Sequence, residues 1–155
     1  MMKPMRVGDY AGANSAVSDA EGDDESLLKI GDMAKLFGVT LRTLRFYEDK
    51  GLLSPKREGS QRLYTRRDRA RLKLILLGRK VGFSLRDVKQ VMDLYDPTGS
   101  NAKQLRMTLD KSEKQLGRLQ KQRAAIDDAM DELGKLMAAV RRMLAERSVA
   151  TSNAA

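Results

Sequence analysis

Ile30-Gly31-Asp32-Met33-Ala34-Lys35-Leu36-Phe37-Gly38-Val39-Thr40-Leu41-Arg42-Thr43-Leu44-Arg45-Phe46-Tyr47-Glu48 reads as two short helices joined by a tight turn. Met33, Ala34 and Phe37 recur at helical spacing, and Gly38 then offers a left-handed stop. Thr40 is placed to cap a second helix, along which Leu41, Leu44 and Glu48 mark a mixed face. Arg42 and Arg45 lie one turn apart and project together from it. This is how a helix-turn-helix offers the first residues of its second helix to the edges of bases in a DNA groove.

The residues that follow narrow the reading. Gly51 ends the second helix, and Leu52-Leu53 and Arg62-Leu63-Tyr64 are strand candidates flanking the loop Lys56-Arg57-Glu58-Gly59-Ser60. A hairpin tipped with Lys, Arg and Gly is a cationic wing able to follow a phosphate backbone. Thr65 with Asp68 opens a third helix, and Ser84 with Asp87 a fourth after Gly82-Phe83. On IGDMAKLFGVTLRTLRFYEDKGLL, Arg62-Leu63-Tyr64 and Gly82 to Leu85, residues Lys29 to Leu94 resemble the MerR-type winged-helix transcriptional regulators.

That resemblance implies a set of contacts. Thr40, Arg42 and Thr43 fall near base edges, where an arginine fork satisfies both acceptors of a guanine. Arg45 and Tyr47 go to phosphates, and Lys56, Arg57, Arg62 and Tyr64 supply wing contacts. The alternative for Tyr47 and Tyr64 is burial in the core, and for Arg45 an ion pair with Glu48 or Asp49. Family members sit on overlong promoter spacers and undertwist them, so RNA polymerase at the promoter is an implied partner. The run ARLKLILLGRKVGFSL followed by Asp93 to Pro97 looks most like regulators of leucine, isovalerate and fatty-acid degradation genes in proteobacteria.

Charge distribution agrees with a nucleic-acid partner. The 155 residues carry a net charge of +9. Met1 to Ser26 holds two basic and six acidic residues, whereas Leu27 to Lys80 holds fifteen basic and five acidic. The positive charge therefore falls where the winged helix falls. Residues 1–26 are poor in large apolar groups and read as a disordered acidic tail, residues 27–96 as the winged domain, and 148–155 as a frayed end.

From 101 to 147 the pattern changes. Leu105, Leu109, Ser112, Leu116, Leu119, Arg123, Ile126, Met130, Leu133, Met137, Val140 and Leu144 follow one another in steps of four and three, and ten of the twelve are apolar. A 3.5-residue repeat held this long is the signature of a coiled coil, and its seam needs a second helix, most simply its own copy. The heptads demand a partner, and the resemblance implies that the dimer is antiparallel. The expected fold is mostly α, a winged helix-turn-helix followed by a long dimerising helix.

Residue counts exclude several chemistries. Cys and His are both zero, so no thiolate metal site or redox switch is available. Asp127, Asp128, Asp131 and Glu132 read as exposed helix charges, with Asp131 paired to Lys135, and no metal or cofactor is expected. About ten residues follow Leu144, too few for an effector domain. No phosphate loop or nucleophile context supports an enzyme. With no apolar run of membrane length, the expectation is a cytoplasmic, nucleoid-associated, homodimeric regulator acting on a palindromic duplex. The rival is a coiled-coil interaction protein whose basic head binds nucleic acid without sequence choice.

Overall fold

The computed structural model describes residues 27–96 and 98–154, so the expected acidic tail at 1–26 lies outside the described residues. The chain forms two compact units, one through Lys111 and one from Ser112. In order the elements are β1 (Leu28–Lys29), α1 (Ile30–Phe37), α2 (Leu41–Asp49), β2 (Lys56–Glu58), β3 (Gln61–Tyr64), α3 (Arg66–Lys80), α4 (Leu85–Asp93) and α5 (Ala102–Asn153).

Local chemistry sets the boundaries in the first unit. Gly38 closes α1 at φ 63°, where any residue with a Cβ is strained, and its N–H returns to the carbonyls of Ala34 and Lys35. Thr40 caps α2 by accepting from the Thr43 N–H at 3.0 Å. Thr65 and Asp68 form the reciprocal capping box of α3, and Ser84 caps α4 by accepting from the Asp87 N–H. Each such cap contributes about 1 kcal/mol.

The strands differ from the sequence expectation. Leu52-Leu53 is not a strand: both N–H groups donate to the Tyr47 carbonyl and fold the chain tightly under α2, leaving the two side chains 1% exposed. The hairpin begins four residues later, and β3 pairs antiparallel with both β2 and the short β1, giving the order β1-β3-β2.

Met33, Leu44, Leu52, Leu53, Tyr64, Leu72 and Ile75 form a core drawn from α1, α2, the Leu52-Leu53 turn, β3 and α3, with Val88 and Met92 adding α4. Burying each of the large aliphatic side chains contributes about 1.5–3 kcal/mol. Gly78 lets α4 approach α3, because a Cβ there would sit 2.6 Å from Val88 Cγ2.

The second unit is helix alone. It runs on through Ser148 to Asn153, into the segment expected to be frayed. Ser148 and Thr151 donate their hydroxyls to the carbonyls of Ala145 and Arg147, one helical turn back. Along α5 every apolar seam residue is exposed, from 43% at Leu119 to 66% at Met130. Lys135 pairs with Asp131, as expected, and also with Glu132, each at 2.8 Å.

Candidate nucleic-acid interface

The outward face of α2 is cationic. Arg42, Arg45 and Lys50 are exposed, while Leu44 and Tyr47 turn inward. Arg42 and Arg45 enter no ion pair among the described residues, and Glu48 on the same helix is engaged by Arg57 and Arg62. Thr40 and Thr43 are exposed or half-buried at the start of the helix, with a 2.8 Å bond between their hydroxyls. That bond and the cap fix both side chains before any ligand arrives. The Lys50 ammonium lies over the exposed Phe46 ring, 5.6 Å from its centroid.

Arg42, Thr43, Phe46 and Tyr47 face Arg79 of α3 and Leu85 of α4 across an open hollow of about 330 Å³. Arg79 is steadied by donating to the Phe83 carbonyl at 3.2 Å. The hollow has an arginine on each wall and no acid in its lining, a setting suited to an anion. Arg79 and Leu85 were not among the sequence candidates, since nothing in their spacing ties them to α2.

The hairpin stands beside this face. Arg57 and Arg62 are cross-strand partners on β2 and β3, a like-charge pairing that would repel unaided. Glu48 resolves it: Arg57 Nη2 donates to Oε1 at 2.7 Å and Arg62 Nε to Oε2 at 2.6 Å. Burial pushes the Glu48 carboxyl up, but the two guanidiniums more than offset this and hold it below its ordinary value. Lys56 is exposed at the start of the hairpin.

The two tyrosines require correction. Tyr64 is 0% exposed, and its hydroxyl is buried without a hydrogen-bond partner among the described residues. Burial, and then Glu48, raise its pKa above the ordinary phenol value. It sits on the central strand opposite Leu28, so it is a core residue rather than a wing contact. Tyr47 is 7% exposed and belongs to the same core, and it also lines the hollow beside Arg42.

Behind the interface Asp68, 3% exposed, accepts from Ser54 N–H, Thr65 N–H and the Thr65 hydroxyl at 2.9–3.0 Å. Arg71 donates to the Leu52 carbonyl at 2.8 Å. Together they fasten the segment between α2 and the hairpin to α3.

Known proteins share this arrangement. Residues 28–95 match the MerR HTH family regulatory protein model and residues 69–136 the MerR, DNA binding model. The HTH-type transcriptional activator TipA of Streptomyces coelicolor is 38% identical over 66% of this chain, which spans only 40% of TipA. A ZntR homolog of Haemophilus influenzae is 33% identical over 57% of this chain and 67% of its own length. The crystal structure of HiNmlR, a MerR family regulator lacking the sensor domain and bound to promoter DNA, superposes with a TM-score of 0.52 at 25% identity, covering 68% of this chain and 80% of HiNmlR. The chain belongs to the MerR family of helix-turn-helix regulatory proteins.

Proposed function

We propose that the protein is a sequence-specific, homodimeric transcriptional regulator that binds a palindromic promoter site, acting with RNA polymerase by distorting the spacer. The observation that carries this reading is the unpaired arginine face of α2 standing beside a cationic hairpin. HiNmlR, of similar fold, has been seen on promoter DNA. In this reading Arg42, with Thr40 and Thr43, reaches base edges, Arg45 and Lys56 reach phosphates, and Arg57 and Arg62 present the wing. No helix among the described residues is long and apolar enough to cross a membrane, and the proposed place of action is the cytoplasm, on the nucleoid. The sequence resemblance nominates branched-chain amino acid and fatty-acid catabolic genes as targets.

The dimer is read from α5. Leu105, Leu109, Leu116, Leu119, Ile126, Met130, Leu133, Met137, Val140 and Leu144 form an open seam that one partner helix would cover. Arg123 favours the antiparallel direction. In a parallel, in-register pair it would face its own copy inside the seam, whereas an antiparallel pair can set it apart from that copy. Asp127 lies 3.7 Å from it, one turn along, to share its charge.

A competition experiment tests the function. The full chain is used to enrich duplexes from a random pool, and the enriched duplex then competes with scrambled DNA. A preference of about a thousandfold supports the regulator. Salt-sensitive binding of equal strength to both supports the sequence-blind rival.

A further inference from the structure

Glu48 stands where helix electrostatics disfavours an acid. It lies in the last turn of α2, at the negative end of the helix dipole, and no basic residue shares that turn. A helix reading alone would put a cation there. Its partners come instead from nine and fourteen residues further along the chain, and it spends one oxygen on each. The carboxylate is thus a bridge between the recognition helix and both strands of the hairpin.

Its bonds also leave the arginines usable. A guanidinium has five N–H donors. Among the described residues Arg57 commits only an Nη2 hydrogen and Arg62 only Nε, so the remaining donors of both stay available. Half of the Arg57 side chain is exposed, against 22% of Arg62 and 16% of Glu48. The acid is the most shielded of the three, and Arg57 is the most presented.

We propose that Glu48 is the positioning and specificity-determining residue of the interface: it sets the wing arginines in the frame of the recognition helix, and its charge restrains them from gripping DNA of any sequence. This rests on the DNA-binding reading above. With Glu48 in place, Arg57 and Arg62 reach phosphates only where the backbone lies correctly relative to the bases under Arg42. Without it, two mobile cations would add affinity everywhere and discrimination nowhere.

The test compares the full chain with Glu48→Gln, using a duplex enriched from a random pool and a scrambled duplex. Glu48→Gln should weaken binding to the enriched duplex about tenfold while tightening binding to the scrambled one severalfold. Its salt slope on scrambled DNA should steepen by about one, the increment of one added phosphate contact. Equal weakening on both duplexes with an unchanged slope would reduce Glu48 to a fold-stabilising role and overturn the proposal. So would equal tightening on both, which would make it a screening charge only. Glu48→Asp keeps the charge but is one methylene too short to span both arginines. It should lose affinity for the enriched duplex while its scrambled-DNA slope stays that of the wild type, and full affinity there also overturns the proposal. A wild-type chain that enriches no duplex defeats the regulator reading itself, whereas an enriched duplex indifferent to both variants defeats only the role of Glu48.

Discussion

The winged head and the long helix satisfy the same physical demands in opposite ways. In the head the core side chains pack within the chain: Met33, Leu44 and Ile75 are 0% exposed, and the buried Asp68 carboxylate accepts three hydrogen bonds. In the helix, the backbone closes its own hydrogen bonds while the apolar side chains stay in water, Ile126 at 59% and Leu133 at 56%. A fold that completes itself and one that waits for company call for different perturbations.

The largest effect expected is on the waiting half. Ile126→Asp puts an unpaired charge into the proposed seam, a cost of several kcal/mol if a partner helix covers it. Sedimentation should then give monomers, thermal melting of the head should be unchanged, and affinity for the enriched duplex should drop steeply with the loss of the second half-site. A variant that stays dimeric would show that the seam is not the interface.

Asp68→Ala strikes the self-contained half. It strips the buried acceptor from two part-buried N–H groups and a hydroxyl, so urea denaturation should show a loss of about 3 kcal/mol in the head. The helical signal of α5 beyond Lys111 should persist. Loss of both signals together would mean that the two units fold as one.

Arg42→Ala should leave both halves standing. Binding to the enriched duplex should weaken by about 2 kcal/mol with little change on scrambled DNA, measured by titration at fixed salt. Equal losses on both would reassign Arg42 to phosphate.

Acid gives a smaller effect. Hydrogen bonds from Lys111 and then Ser84 hold the Asp87 pKa down at about 2, against an ordinary 3.8. A depressed folded-state pKa means stability that is present above the unfolded value and lost as pH falls toward the folded one. Head stability should therefore fall by about 1–2 kcal/mol between roughly pH 5 and pH 2 through this group, and Asp87→Asn should remove that part of the pH dependence.

Smallest is Tyr64→Phe, which deletes a buried hydroxyl that has no partner. It should be neutral or stabilising by up to about 1 kcal/mol in urea, with an unchanged salt slope on DNA. A flattened slope would return Tyr64 to the phosphate contacts.

What the sequence disclosed was what depends on near neighbours. Gly38, Thr40, Thr65 with Asp68, and Ser84 with Asp87 act within four residues of themselves, and each stands where its spacing indicated. The four-three seam of α5 is likewise a local rhythm. Hidden from it were matters settled across the chain. Glu48 could be offered Arg45 by helix spacing, but the hairpin brought Arg57 and Arg62 closer. Tyr64 was legible as either core or contact until Leu28, thirty-six residues earlier, paired with it as a strand and made β3 central. The helix end was hidden because residues 148–155 are small and polar, whereas the helix itself needs only willing backbone and the Ser148 and Thr151 hydroxyls that fold back on it.

With a second copy covering it, as proposed, the open seam of α5 would also tie recognition to abundance. A head that folds alone has the same shape at any concentration, but a seam completed by a second copy obeys mass action. The concentration of dimers able to engage two half-sites would then rise with roughly the square of the free chain level while the dimer is scarce. Synthesis and turnover of the chain would thereby set a threshold for promoter occupancy, with no small molecule needed to impose it.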